Sequence, residues 1–172
     1  MTTLEVTIPS AITTQLALPW GGFPHPVWFK DSPQIANVRA FGGLLDRTIM
    51  EGIVAGQQSY QDSIRALPAD EQRRVLAEIA DSMQPGLPPR ENRREQRTVD
   101  VVVGRGGLET VRVTAHGQGA YLQTGLIQAF AAHQLVRQPP RKVGFASPCD
   151  AFGHRELLAA LEAYGFVRVE VG

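Results

Sequence analysis

Histidine, cysteine and tryptophan are the residues through which this sequence could do chemistry. Its four histidines, His25, His116, His133 and His154, are scattered along the chain. None shows the His-x-x-x-His, His-Glu-x-x-His or paired-cysteine spacing of a zinc site, so the pattern predicts no bound metal. Because an imidazole gives and takes protons near neutral pH, His116 and His154 are candidate proton carriers. The alternative for each is a structural or surface histidine.

The single cysteine, Cys149, is predicted in the first turn of a helix that Ser147 caps. The helix dipole lowers the pKa of a thiol at that place, so a thiolate nucleophile is one interpretation. His154 follows five residues later, and residues at that spacing diverge by about 140° around a helix. We therefore favour the other interpretation, in which Cys149 is a small buried hydrophobic side chain.

Residues 19–29 contain both tryptophans, Trp20 and Trp28, together with His25 and several prolines and phenylalanines. The segment has neither a helical nor a strand period, which predicts an ordered aromatic loop. Two interpretations stay open. The loop could supply Trp20, His25 and Trp28 as walls of a small-molecule pocket, or it could pack over the core or in a dimer interface.

Gly117-Gln118-Gly119 lies between a predicted strand and a predicted helix, as the glycine turn of a dinucleotide site does. The third glycine position holds Leu122, no acid stands about 20 residues further on, and the preceding strand belongs to a hairpin. We therefore expect no cofactor and favour a tight turn that merely joins the strand to the helix. A carboxylate or other anion resting on the free amides of the helix remains an alternative.

The elements that must position these residues follow from hydrophobic periodicity. Strands are predicted at 4–8, 35–41, 98–103, 108–114 and 166–171, an extended segment at 143–146, and helices at 44–54, 68–83, 120–136 and from 148 to a stop at 165. The hairpin at 98–114 breaks the regular strand–helix alternation of a parallel sheet. The predicted class is α+β, with a mixed, largely antiparallel sheet and helices packed on one face.

Length and charge limit the classes of partner. The 172 residues suit one domain, 1–172, with an exposed connection at 84–97 whose arginines and glutamates are interleaved. Lys plus Arg and Asp plus Glu both number 17, so no basic field would attract nucleic acid or an anionic membrane. The chain begins without a cationic, apolar leader, which predicts a cytoplasmic protein.

The C-terminal half resembles a known family. The segments that carry the likeness are 119–125, then a long helix, 143–148, Ala151-Phe152-Gly153-His154, and the close at 161–165; residues 38–43 fit an earlier part. They are similar to the carboxyl-terminal region of saccharopine dehydrogenase-like oxidoreductases. In that family a Rossmann domain precedes the region, which shapes a substrate pocket and a dimer contact. The resemblance implies Arg39, Tyr121, Thr124 and His154 as pocket residues.

The resemblance leaves two functional hypotheses, since the Rossmann domain is missing here. One is a cofactor-free cyclase or isomerase of specialised, polyketide-type metabolism, which holds an apolar substrate in a reactive shape. His116, His154 and Tyr121 would be its catalytic residues, and Trp20, His25, Trp28, Arg39 and Thr124 would bind the substrate. The other is a non-catalytic ligand-binding and dimerisation module, or the substrate half of a split oxidoreductase. Both imply a homodimer.

Overall fold

The computed structural model describes residues 3–8, 14–19, 23–83 and 90–172. The chain divides into two compact units, 1–88 and 89–172, and each is described by itself. Helices and antiparallel sheets occur in both units, which confirms the α+β class. The first part of the predicted connection, 84–89, lies outside the described residues. The single domain stays a prediction.

The sheet of the first unit has two described strands. Strand β1, Leu4–Thr7, was predicted and pairs antiparallel with β2, Thr14–Ala17, which was not. Strand β2 escaped prediction because Gln15, Leu16 and Ala17 are all buried, and successive buried residues show no alternation.

The predicted strand at 35–41 is wrong, because residues 35–41 form no strand. Only the residue after it reaches the sheet: Gly42 exchanges two 2.9 Å backbone hydrogen bonds with Leu18. The ring of Phe23 lies so close to Gly42 that a β-carbon there would stand 2.6 Å from Cζ. A side chain at position 42 would therefore collide with the Phe23 ring, so glycine suits this contact with Leu18.

The described part of the first unit also contains three helices. Helix α1 is the short turn His25–Trp28, so the prediction of an irregular loop is wrong at those residues. Helix α2, Arg47–Ser59, continues through a π-helical turn, Tyr60–Ile64. Helix α3, Ala69–Ser82, matches the predicted helix at 68–83. Pro68 precedes its first turn, and a proline at a helix start costs no hydrogen bond.

Helix α2 begins later than predicted because Asp46 caps it. The Asp46 carboxylate accepts hydrogen bonds from the N–H groups of Thr48 and Ile49 at 2.9 and 3.3 Å. The helix then directs Met50, which has no exposed surface, against Leu16 and Leu18. This small cluster is the described core of the first unit.

The second unit is built on a three-stranded antiparallel sheet in the order β3-β4-β5. Strands β3, Arg97–Gly106, and β4, Glu109–Gln118, form the predicted hairpin over a longer span than expected. Strand β5, Val167–Val171, pairs with the second half of β4 and confirms the predicted last strand.

Three helices follow the hairpin. Helix α4, Ala120–Arg137, is the predicted long helix. The predicted helix after Ser147 is divided into α5, Pro148–Phe152, and α6, His154–Ala163, because Gly153 adopts a φ of 96° that ends the first helix. The extended segment at 143–146 is not a strand, and Gly144 has a φ of 83° within it. Helix α4 packs on the sheet, and Phe130 meets Phe152 of α5 edge-on at 6.1 Å.

Within the described residues, no helix combines the length and the apolar character needed to cross a bilayer.

Candidate functional site

The two faces of the second unit's sheet carry different side chains, because residues opposite each other in an antiparallel ladder point to the same face. Thr98 lies on the helix face, where its hydroxyl meets the amide of Gln123 on α4 at 3.3 Å. The next residue of the ladder, His116, therefore lies on the other face. We call this second surface the outer face.

His116 has an acidic neighbour on the outer face. Its Nε2 lies 3.6 Å from Oε2 of Glu170, and the other oxygen of Glu170 lies 2.7 Å from the guanidinium of Arg168. The His116 side chain is 22% exposed, whereas Glu170 and Arg168 are about half or more exposed. Glu170 thus bridges a half-buried imidazole and a solvated guanidinium.

This arrangement could position a proton carrier. At 3.6 Å the His116–Glu170 contact is an ion pair when the imidazole is protonated, and it is too long for a hydrogen bond. A carboxylate beside an imidazole is a common means of orienting a general acid or base. Of the three predicted catalytic residues, His116 is the one whose side chain lies within ion-pair distance of an acid in the described parts of the chain.

Tyr121 and Thr124 lie on α4, so the sheet separates them from His116. The Tyr121 side chain is 73% exposed. The Thr124 hydroxyl donates a 3.0 Å hydrogen bond to the carbonyl of Ala120 within the same helix. The second unit by itself therefore brings neither residue to the histidine on the outer face.

His154 is the first residue of α6 and is exposed. Nearby, the Arg141 guanidinium lies 2.7 Å from the Glu156 carboxylate. The pKa of Glu156 is lowered, first by the hydrogen bond from its own backbone N–H and next by Arg141, with a smaller influence of His154. His154 thus belongs to an exposed charged cluster at a helix start.

The aromatic segment provides an open groove in the first unit. His25 lies between Phe23 and Trp28, with ring centroids 5.8 and 5.6 Å away. The groove encloses about 180 Å³ and is lined by Pro26, Phe29, Lys30, Ile35, Ala36, Asn37 and Val38. It is smaller than the roughly 300 Å³ at which drug-sized pockets begin.

The remaining predicted residues of the first unit give little more. Trp28 is half-buried, and its Nε1 has no hydrogen-bond partner in the described parts of the chain. Arg39 is exposed and makes no hydrogen bond or ion pair with the described residues. Trp20 lies outside the described residues.

The glycine turn before α4 is occupied by an acid of the chain itself. Gly119 adopts a φ of 65°, and after it the amides of Tyr121 and Leu122 donate to the two carboxylate oxygens of Glu91, at 3.0 and 2.8 Å. The segment is thus the tight strand-to-helix turn that we favoured, and a carboxylate of the chain itself rests on its free amides. A phosphate there would have to displace a group of its own charge sign.

Arg93 holds the same segment to the end of α6. Its guanidinium stacks on the Phe166 ring at 3.9 Å and donates to the carbonyls of Tyr164 and Gly165 at 3.2 and 3.0 Å. A cation at a helix C-terminus complements the dipole. The prediction that these charged residues form a solvated connection is therefore wrong for Glu91 and Arg93.

Cys149 lies in the first turn of α5, whose N-cap is Ser147 as predicted: the Ser147 hydroxyl accepts from the Asp150 N–H at 3.1 Å. Cys149 is exposed, so the prediction of a buried side chain is wrong. The pKa of its thiol is nevertheless raised, first by partial desolvation and then by the adjacent Asp150. This disfavours the thiolate and speaks against a nucleophile. In the described ranges no three His, Cys, Asp or Glu side chains meet as metal ligands would.

Sequence reasoning missed Glu170 and Arg168 as neighbours of His116. The alternation of residues 166–171 predicts the strand and which of its residues share a face, but it does not tell which strand lies beside it. The register that places Arg168 opposite His116 is visible only in the folded sheet.

The fold and the site define an α+β chain in which an acid–imidazole pair lies on one face of an antiparallel sheet. The chain belongs to DUF5938, a family of unknown function, whose model matches residues 1–171. No curated protein and no solved structure matches the chain.

Proposed function

We propose that the chain is a non-catalytic binding and association module. It would be a counterpart of the carboxyl-terminal region of saccharopine dehydrogenase-like oxidoreductases, forming a homodimer and holding an apolar small molecule. The observation that carries this proposal is the apolar surface that the β3–β4 hairpin and β5 expose.

That surface is a valine patch beyond the part of the sheet to which α4 is joined. Val102, Val113 and Val171 lie opposite one another on the helix face, and Val111 follows on the same face. Val102 is 64% exposed and Val171 74% exposed. Contiguous apolar surface of this kind marks association sites in folded proteins.

A small apolar ligand is supported by the groove of the aromatic segment. Phe29, Ile35 and Val38 supply its apolar walls, and Lys30 and Asn37 supply polar groups that could orient a ligand. A groove this open suits recognition better than chemistry, since it excludes little water.

The module could also serve a separate Rossmann chain in a split oxidoreductase. Such a chain would supply the dinucleotide site, because in this chain the amides after the glycine turn already donate to the Glu91 carboxylate. In either form we propose a cytoplasmic protein, because its one cysteine, Cys149, can form no internal disulfide.

Size in solution tests the proposal. Light scattering of the full chain should give a mass that rises toward twice the monomer mass as the protein concentration increases. A wholly monomeric chain at every concentration, also in the presence of candidate Rossmann chains, would refute association.

A cofactor-free cyclase or isomerase is the second candidate, and the His116–Glu170 pair favours it. The chain should then convert a polyene or an enone without added nicotinamide or flavin. His116→Gln should abolish that conversion, while His133→Gln, at an exposed position of α4, should leave it unchanged. Conversion that survives His116→Gln would exclude this pair as its source.

A further inference from the structure

Among the strands that the structure describes, β3 is an edge of its sheet, and the backbone hydrogen bonds of its neighbour β4 tell which backbone groups of β3 face outward. Arg112 and Gly172 exchange two 2.8 Å bonds, so even-numbered residues of β4 bond to β5. Odd-numbered residues of β4 bond toward β3, as the 3.1 Å bond from Gly119 to Gln96 shows. In antiparallel pairing these bonds alternate. The outward-facing backbone groups of β3 are therefore those of Val99, Val101, Val103 and Arg105.

In the described parts of the chain, this edge has little of the usual protection. Proteins shield edge strands with charged residues, above all lysine, with proline, a bulge or short length, or with a covering segment. The charged residues of β3 are Arg97 and Arg105 near its two ends and Asp100 between them. Strand β3 is ten residues long, contains neither lysine nor proline, and pairs with β4 in an unbroken register. Val101, Val102 and Val103 are 43%, 64% and 48% exposed. The edge is thus long, regular and apolar, which is the form that accepts another strand.

Symmetry restricts how a second copy could pair there. Opposite residues of an antiparallel ladder share a face, and neighbouring residues of one strand lie on opposite faces. The two-fold axis must therefore lie midway between one residue of β3 and the same residue of the second copy. Centring on Asp100 would set two aspartates against each other, and centring on Val101 would set Arg97 against Arg105. Like charges directly opposite are destabilising.

Centring on Val102 avoids both conflicts. Val102 then faces its own symmetry mate, Val101 faces Val103 of the second copy, and Asp100 faces Gly104 of the second copy. Centring on Val103 also avoids like charges, but it sets Val102 against glycine and Val101 against arginine. The Val102 register alone pairs Val101, Val102 and Val103 with valines, while the fourth valine of β3, Val99, faces Arg105 of the second copy. Cross-strand β-branched pairs stabilise sheets, which favours this register.

We propose that two copies of this chain pair antiparallel through β3, with the two-fold axis at Val102, and form one continuous six-stranded sheet. The inference rests on the proposed association module and specifies its interface. In this register the outward backbone groups of Val101 and Val103 bond across the axis. Val102 and its mate form a non-hydrogen-bonded pair, whose Cα atoms are about 4.5 Å apart.

Two variants test the interface in the full chain, both measured by light scattering and sedimentation. Val102→Lys places two cations against each other at the axis and should raise the dimer Kd at least about tenfold. The matched control is Leu108→Lys at the tip of the hairpin, where the side chain is fully exposed and outside the pairing; it should leave the Kd unchanged.

A cross-link tests the register independently of folding effects. In a Cys149→Ser background, Val102→Cys should form a disulfide-linked dimer on oxidation, because the expected Cα separation lies within disulfide range. Val171→Cys, exposed on the opposite edge strand, should not. A wild-type dimer that tolerates Val102→Lys and does not cross-link through residue 102 would overturn this interface and leave the association module intact. A monomeric wild-type chain would overturn the proposed homodimer itself.

Discussion

The side-chain carboxylate of Glu91 accepts a 3.0 Å hydrogen bond from the backbone N–H of Tyr121. Its second oxygen accepts from Leu122 at 2.8 Å, so one acid satisfies two of the unpaired donors at the start of α4. The contact joins the segment before β3 to the helix after β4. It makes a residue of an apparent linker part of the second unit's structure.

Removal of this cap should destabilise the second unit. Glu91→Ala should lower its free energy of unfolding by about 1 kcal/mol, because two helix donors lose their acceptor and the dipole loses a compensating charge. Urea denaturation followed by circular dichroism measures the change. Glu95→Ala removes the same charge from an exposed neighbour and should have little effect. Equal losses for the two variants would show that Glu91 acts only through net charge.

Substitution of Arg93 should destabilise the second unit more than substitution of Glu91, for a different reason. Arg93→Met should cost about 2 kcal/mol, because it removes the charged hydrogen bonds to two carbonyls and the stacking on Phe166. Arg93→Lys should recover only part of this, since an ammonium lacks the planar fork that stacks and donates together. Arg94→Met is the control at an exposed position. Full recovery by lysine would contradict the role of the planar group.

The elements with strong local patterns could be predicted from sequence. Helices α3 and α4 and the β3–β4 hairpin have long periodic faces and clear stop signals, and the structure confirms them. Strand β2 could not be predicted, because burial on both sides removes its alternation. The split between α5 and α6 depends on the backbone conformation of Gly153, and glycine in a sequence does not reveal its φ.

The site was less predictable than the fold, because its contacts join distant parts of the chain. Glu91 lies 30 residues before Tyr121, and Arg93 lies 71 residues before Tyr164. From the local charge pattern, Glu91 and Arg93 are both predicted to be solvated. His116 could be proposed from residue type alone, but its partner Glu170 depends on strand order, which periodicity does not determine.

The two units can be monitored separately because both tryptophans, Trp20 and Trp28, belong to the first. Met50→Ala should lower the stability of that unit by roughly 2 to 5 kcal/mol, since it leaves a cavity at a fully buried position. Tryptophan fluorescence in urea should report the loss. Met83→Ala, at a 65% exposed position, is the control. If amide exchange in β3 and β4 accelerates in parallel with Met50→Ala, the units unfold together and the single-domain prediction gains support.

Cys149 should be a slow thiol. Partial burial of the sulfur and the neighbouring Asp150 raise its pKa, so the folded chain holds the thiol proton more tightly than the unfolded chain does. The stability that this adds is complete below the unfolded pKa and is lost as pH rises through the higher folded pKa. Iodoacetamide labelling at pH 8 should therefore be slower in the folded chain than in urea, and Asp150→Asn should speed it modestly. Asp81→Asn, on α3 in the other unit, should change nothing. Faster labelling of the folded chain than of the unfolded chain at pH 7 would instead indicate a lowered pKa, and Cys149 would return as a candidate nucleophile.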